Sequence, residues 1–271
     1  MSELESNPQK GTVALAARLR SLTPARVGLG RTGVSLETDE LLDFQRAHAQ
    51  ARDAVHSRLD AAALAVELER ATEFEVVRLH SACGDRATYL QRPDLGRMLD
   101  EASRERLAAR GERFGRDGGR CELTVIVADG LSALAVERHA VPLLHELLAQ
   151  LGGWEIGPIV IVEQGRVAIG DEIGLALKAR ISVVLIGERP GLSSPDSLGA
   201  YITWEPRPGR SDAERNCISN IHGEGLSYVK AAEQLRSLLT EARKRRLTGV
   251  ALKLEFDKKM PEPGMERLLD K

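Results

Sequence analysis

The chain has 271 residues, 42% of them hydrophobic and only 3% aromatic, with a formal net charge of −2. That length buries one good core, or one core and a smaller helical region, and the core has to be aliphatic. The near-neutral balance excludes a whole-protein electrostatic case for nucleic acid or for an anionic membrane.

No apolar run approaches the ~20 residues that span a bilayer, and the opening residues lack the basic and apolar regions of a secretory signal. Cys83, Cys121 and Cys217 are odd in number and form no Cys-x-x-Cys pair. A reducing, cytoplasmic setting fits that usage. Residues 1–22 read as a weakly tethered leader, in which residues 13–22 form a short helix with Leu15, Leu19 and Leu22 on one side. A glycine-rich loop with Arg26 and Arg31 follows. A helix starts near Thr38-Asp39-Glu40, and Leu41, Leu42, Phe44, Ala47, Val55 and Leu59 roughly keep its 3.6-residue period. Residues 61–112 continue as helices, broken around Ser81–Asp85 and again at Pro93. The Gly/Arg/Asp-rich stretch 113–120 reads as a domain boundary. It separates a helical region, 23–117, from an α/β domain, 118–260, and a mobile tail covers 261–271.

From Glu122 onward, strand and helix patterns alternate. The expected strands are 123–128, 158–163, 181–187, 200–204 and 249–255, and the expected helices are 131–151, 168–180 and 224–247. This alternation predicts an α/β fold of Rossmann-like type, a mostly parallel sheet with helices on both faces, preceded by the smaller N-terminal helical region. The clearest strand is Ile181-Ser182-Val183-Val184-Leu185-Ile186, which runs into Gly187-Glu188-Arg189-Pro190-Gly191. Two upstream strands end in the same way, at Ala128-Asp129-Gly130 and at Glu163-Gln164-Gly165. Open α/β sheets bind ligands beyond such carboxyl ends, so three of them together predict one ligand crevice.

Several motifs carry candidate chemistry. Gly165-Arg166-Val167-Ala168-Ile169-Gly170 has the glycine spacing of a phosphate loop, but Asp171-Glu172 stand where Lys-Ser/Thr belongs and would repel a triphosphate. The two carboxylates suit a first helical turn instead. What remains is a backbone-lined lip around Val167 that can meet a large, roughly neutral ligand. Glu188 reads either as a solvated loop carboxylate or as an acceptor for amide or ribose donors. Asp129-Gly130-Leu131-Ser132-Ala133 fails the G-x-S-x-G elbow, so Ser132 reads as a helix N-terminal residue and His139 as part of a helix face. Cys217 beside His222 hints at a thiol nucleophile, yet no orienting acid is marked, and Cys217, His222 and Glu224 match no metal-loop spacing. The segment reads as placing Cys217 against a ligand or partner. Arg243-Lys244-Arg245-Arg246 reads as the cationic last turn of a helix.

Taken together, Arg26–Gly33, Asp43–Ala49, Tyr89–Arg97, Ala128–Ala133, Gly165–Glu172, Gly187–Gly199 and Arg215–Gly225 resemble the small (light) subunit of ethanolamine ammonia-lyase. The resemblance runs from about Arg26 to about Leu252. It implies assembly with a larger, barrel-shaped subunit into a higher hetero-oligomer that uses adenosylcobalamin to convert ethanolamine to acetaldehyde and ammonia. It further implies that the substrate site belongs to the large subunit, so no catalytic residue is expected here, and that Val167, Glu188 and Cys217 contact the cofactor. The D-x-H-x-x-G signature of base-off cobalamin domains is absent, so no protein ligand to cobalt is expected from this chain. In some members the leader directs the enzyme to a bacterial microcompartment. The alternatives are a non-catalytic scaffold or a nucleotide-binding α/β module; the latter would need G-x-G-x-x-G after its first strand, which Ala128–Ser132 lacks.

Overall fold

The computed structural model describes residues 15–116, apart from 17 and 24, and residues 121–252. The tail expected at 261–271 and most of the leader lie outside the described residues. Within the leader, residues 15–16 and 18–22 are helical, as the pattern predicted, and Leu15, Leu19 and Leu22 are all exposed. A small antiparallel hairpin follows, β1 (Arg31–Thr32) and β2 (Ser35–Leu36), turned through Gly33 at φ +66°. Helix α1 (Thr38–His56) carries Asp39 and Glu40 in its first turn, where carboxylates complement the helix dipole. Its buried residues are alanines, Ala47 and Ala54, whereas Leu41, Leu42 and Phe44 are exposed.

Helix α2 (Ala61–Thr72) is capped by Asp60, whose side chain accepts from the Ala63 N–H at 2.9 Å. Then comes a departure from the expected run of helices. Val76–His80 is a strand, β3, with Val77 and Leu79 turned into the core. Its five residues carry only a short alternation broken by Arg78, too brief a signal to stand out between two helices. Helix α3 (Arg86–Gln91) is capped by Asp85 and stops before Pro93, and α4 (Glu101–Arg116) follows.

The central sheet has six strands in the order β3–β5–β4–β6–β7–β8. The further strands are β4 (Leu123–Ala128), β5 (Ile156–Glu163), β6 (Ile181–Gly187), β7 (Leu198–Trp204) and β8 (Arg215–Ile221). Pairings β3–β5, β5–β4 and β4–β6 are parallel, and β6–β7 and β7–β8 are antiparallel. The architecture is thus α/β with a mostly parallel central sheet, and β3 ties the stretch read as helical into that sheet. The Arg215–Gly225 segment, polar and glycine-rich and assigned no strand from sequence, contributes the edge strand β8. An edge strand buries only part of its surface, which is why Asn216, Ser219 and Asn220 disguise it. The strand expected at 249–255 is not formed: Gly249–Ala251 is a 3-10 turn, and residues 253–255 lie outside the described set. Gly249 sits at φ +81° and donates its N–H to Asn216 Oδ1 at 2.7 Å, an arrangement closed to an extended residue.

Helix α5 (Ala133–Leu148) leads from β4 to β5 on one face, and α6 (Ile169–Ala176) leads from β5 back across β4 to β6 on the other. Opposite directions on opposite faces give both crossovers the same hand. Along each strand, side chains alternate between two cores. Leu123, Val125, Val127, Ile159, Ile161, Val183 and Leu185 meet α2, α5 and α7 (Tyr228–Arg245). Ile126, Ala128, Val160, Val162, Val184 and Ile186 meet α4 and α6. Burial on both faces explains why these strands read as continuous apolar runs. Arg243, in the cationic last turn of α7, pairs with Glu122 at 2.8 Å and lies over the Trp154 ring, so that basic run has an ordinary structural role.

Candidate ligand-binding edge

All parallel strands end at one edge of the sheet, where β8 also ends and β7 begins. The chain turns sharply at each end. Gly130 has φ +58°, and a Cβ there would run into the carbonyl of Gly187. Only glycine allows this close approach, and the Leu131 N–H donates to the same carbonyl at 2.9 Å. The expected edges therefore meet, and they border a cavity of about 340 Å³ whose lining includes Tyr89, Arg166, Val167, Glu188, Arg189 and Tyr201.

Val167 and Glu188, singled out from sequence, line this one cavity. Glu188 is half-buried. Its Oε2 accepts from the Ser197 hydroxyl and from the Asn220 N–H at 3.2 Å, and its own N–H donates to the Ser197 carbonyl at 2.9 Å. Gly199 leaves room for it, since a Cβ there would sit 2.9 Å from Oε1. The carboxylate is therefore held by the sheet edge, not adrift on a loop. Cys217 lies on β8 opposite Tyr201 of β7. It stands beside the cavity wall rather than in the lining, and its surface is exposed. Crowding by neighbouring atoms pushes the thiol above its ordinary pKa. A protonated thiol is a contact group, not a nucleophile.

A network that sequence reasoning missed lies behind the wall. Arg86, 5% exposed, donates to the carbonyls of Val55 and Gly130 at 2.7 and 2.8 Å and pairs with Asp129 at 3.4 Å. Asp129 Oδ1 accepts from the Gly165 N–H at 3.2 Å, and the Tyr89 hydroxyl donates to the Gly165 carbonyl at 3.1 Å. One ion pair and one phenol thereby join α3 to the ends of β4 and β5. Burial pushes the Asp129 carboxyl up to about 6, against the opposing pull of Arg86. The Tyr89 ring carries two guanidinium groups, Arg86 at 4.8 Å and Arg166 at 4.1 Å from its centroid. Arg166 is fixed further, because its N–H donates to the Gly96 carbonyl at 2.7 Å and its Nη2 to the Tyr89 carbonyl at 3.0 Å. Of these residues Tyr89 alone lies in Tyr89–Arg97, a segment that single-sequence chemistry left without a role.

Asp171 and Glu172 do occupy the first turn of α6, and each also has a partner. Asp171 takes a two-pronged bond from buried Arg215 of β8, at 2.8 and 2.7 Å. Glu172 pairs with Arg104 and accepts from the Leu99 N–H at 2.9 Å. The first-turn placement is as expected, and internal salt links add to it. Ser132 caps α5 by accepting from the Ala135 N–H and gives its own proton to the Pro195 carbonyl at 2.9 Å. His139 bonds to the Tyr228 hydroxyl and to Asp196, which leaves it no part in a serine-centred triad. Among the described residues no group of three His, Cys, Asp or Glu side chains could hold a metal ion, and no helix is long and apolar enough to cross a membrane.

An open cavity, a held carboxylate and a held guanidinium, with a thiol beside them, share this edge. The fold is α/β with a cavity at the carboxyl ends of its parallel strands. Residues 14–253 match the family model described as ethanolamine ammonia-lyase light chain. The chain is 59% identical over 241 residues to the ethanolamine ammonia-lyase small subunit of Pseudomonas aeruginosa strain PAO1, covering 88% of this chain and 87% of that one. It is 57% identical over 244 residues to that of Xanthomonas campestris pv. campestris strain B100 (89% and 88% covered). For that of Pseudomonas syringae pv. tomato strain DC3000 the figure is 55% over 257 residues (94% and 88%). The chain belongs to the ethanolamine ammonia-lyase small-subunit family, and its enzyme class is that of a lyase.

Proposed function

We propose that this chain forms one wall of an adenosylcobalamin site, completed by a large subunit, in an enzyme that deaminates ethanolamine to acetaldehyde and ammonia. The observation that carries the reading is the convergence of Val167 and Glu188 on one cavity, with Cys217 beside it against Tyr201. The residues fit such a group. A corrin is a broad, largely apolar plate fringed with carboxamides, far larger than about 340 Å³, so this edge can support it but cannot enclose it. Val167 and Tyr201 supply apolar contact, while Glu188 and Arg166 supply an acceptor and a donor. Bound there, adenosylcobalamin supplies the radical chemistry.

The chain's own part is positional. Glu188, fixed by Ser197 and Asn220, accepts from ligand N–H or O–H groups, and Val167 and Tyr201 exclude water from the face they cover. Cys217 adds a neutral contact at the rim. Arg86 and Asp129 hold the strand ends that carry the lining. The test is co-purification of this chain with the large subunit, together with a corrinoid absorbance spectrum in the complex. The purified chain alone should neither deaminate ethanolamine nor retain corrinoid; deamination by the chain alone would end this reading.

A further inference from the structure

The loop 189–197 joins β6 to β7 and lies folded against the body of the domain. The Ser132 hydroxyl donates to the Pro195 carbonyl at 2.9 Å, Asp196 bonds to Arg138 and His139, and Ser194 bonds to His222 at 3.3 Å. The Gly191 N–H closes the turn onto the Ser194 carbonyl at 3.0 Å. Leu192, the loop's one large aliphatic residue, is exposed, so polar contacts and not apolar burial hold the loop down. Two of those contacts end on imidazoles, His139 and His222, each 6% exposed.

Carboxylate oxygens only accept, so His139 Nε2 points its proton at Asp196 Oδ2, 3.2 Å away, and Nδ1 accepts from the Tyr228 hydroxyl at 2.8 Å. Both nitrogens of a neutral ring are thereby used. The same Oδ2 already takes the Arg138 guanidinium at 2.8 Å, which balances the Asp196 charge before the imidazole is counted. A second proton on His139 therefore leaves one buried positive charge in excess. It also turns Nδ1 from acceptor to donor, against a hydroxyl set to donate. The groups facing the ring are Asp196 from the loop, Arg138 from α5, Tyr228 from α7 and His222 from the turn after β8. Burial, with His222 and Arg138 behind it, holds the ring below its ordinary pKa against the opposing pull of Asp196.

We infer that His139 is the pin of an acid-released latch: the neutral ring clamps Asp196 and with it the loop 189–197, and the protonated ring leaves its seat and lets the loop lift from α5. Ser197, at the end of the loop, bonds Glu188, so release also frees that carboxylate. The latch does not depend on which ligand the edge takes.

The test is hydrogen exchange read by mass spectrometry, on the full chain in complex with the large subunit and with no corrinoid added. Three amides report the latch: Glu188 and Gly191, bonded to the Ser197 and Ser194 carbonyls, and Asn220, bonded to Glu188. Relative to free amides at the same pH, their exchange should rise as pH falls below the ordinary imidazole value of about 6.5, by up to about tenfold per pH unit for the uptake of one proton. His139→Gln offers an N–H to Asp196 and an oxygen to Tyr228 but takes no proton, so its exchange should stay flat. The Arg138 side chain is 56% exposed, so Arg138→Gln leaves the core alone. It returns the whole Asp196 charge to the imidazole, and the rise should move to lower pH. Asp129→Asn removes the neighbouring carboxyl that titrates at about 6, and the wild-type rise should persist. Flat exchange in the wild type, an undiminished rise in His139→Gln or a rise moved to higher pH in Arg138→Gln overturns the latch. A rise abolished by Asp129→Asn overturns it too, because the proton then belongs to the Arg86–Asp129 pair.

Discussion

Replacing Glu188 by glutamine keeps the shape of the side chain and removes its charge, so it isolates the electrostatic part of the contact. In the native edge, Oε2 accepts from the Ser197 hydroxyl and the Asn220 N–H. Both are donors, so the amide oxygen of glutamine has to take that position and the internal bonds survive. The amide NH2 then falls where Oε1 stood, over Gly199. A ligand donor that met a carboxylate oxygen now meets another donor. Hydrogen bonds to charged groups contribute about 1.5–3 kcal/mol, which is about 10- to 150-fold in affinity. Because the proposed site leaves the rest of the pocket to the large subunit and the ligand group can reorient, the expected loss sits near tenfold.

The assay is titration of the reconstituted complex with adenosylcobalamin, reading both the half-saturation point and the rate at saturation. The half-saturation point should rise about tenfold with a near-normal maximal rate, since the proposed role of Glu188 is at the cofactor wall and not at the substrate. An unchanged half-saturation point would put Glu188 in solvent. A lost maximal rate with normal half-saturation would give it a role in the chemistry that this geometry does not provide.

Cys217→Ser should hold turnover within about tenfold, a change of only ~1.4 kcal/mol, because the thiol is protonated and packed against Tyr201; steady-state kinetics of the complex checks this, and complete loss with cofactor still bound would contradict it. Asp129 gives a pH signature. Its folded pKa, about 6, lies above the ordinary carboxyl value, so the folded state holds a proton that the unfolded chain releases. Its contribution to stability is full below about pH 4 and is lost as pH rises through about 6. The difference in unfolding free energy between wild type and Asp129→Asn should therefore fall across that window in denaturant titrations, and a rise would reverse the assigned direction.

Much of this architecture was legible because double-sided burial writes itself plainly into sequence. Leu123–Ala128 and Ile181–Gly187 are buried along their whole length, so apolar runs marked both strands and their ends. The edge strands were hidden for the converse reason. β3 fully buries only Val77 and Leu79, and β8 has a polar residue at most exposed positions, so neither carries enough apolar periodicity to announce itself. The apolar run at 250–252 misled in the other direction: Leu252 is buried, but a left-handed glycine at 249 prevents a strand. At the site, Val167 and Glu188 were visible from their places beyond strand ends. Arg86, Tyr89 and Arg166 were not, because their meaning lies in contacts across 43 to 78 positions of chain.

Two buried ion pairs brace elements next to the cavity lining, and their placement matters more than their strength. Arg86–Asp129 ties α3 to the end of β4, beside Tyr89 and Gly130. Arg215–Asp171 ties β8, two residues before Cys217, to α6, four residues after Val167. Buried pairs of this kind add little net stability, since desolvation offsets most of their attraction; apolar side chains of equal volume often do as well. What apolar packing cannot supply is direction. The two-pronged bond from Arg215 to Asp171 sets both distance and angle between its two elements, and Arg86 sets the Gly130 turn through a carbonyl as well as a carboxylate. A pocket that closes around its ligand can correct loose walls by induced fit. An edge that supplies only one wall cannot, so the geometry has to exist before the ligand arrives. The two pairs, the doubly stacked Tyr89 and the glycine turn at Gly130 all act on that one requirement.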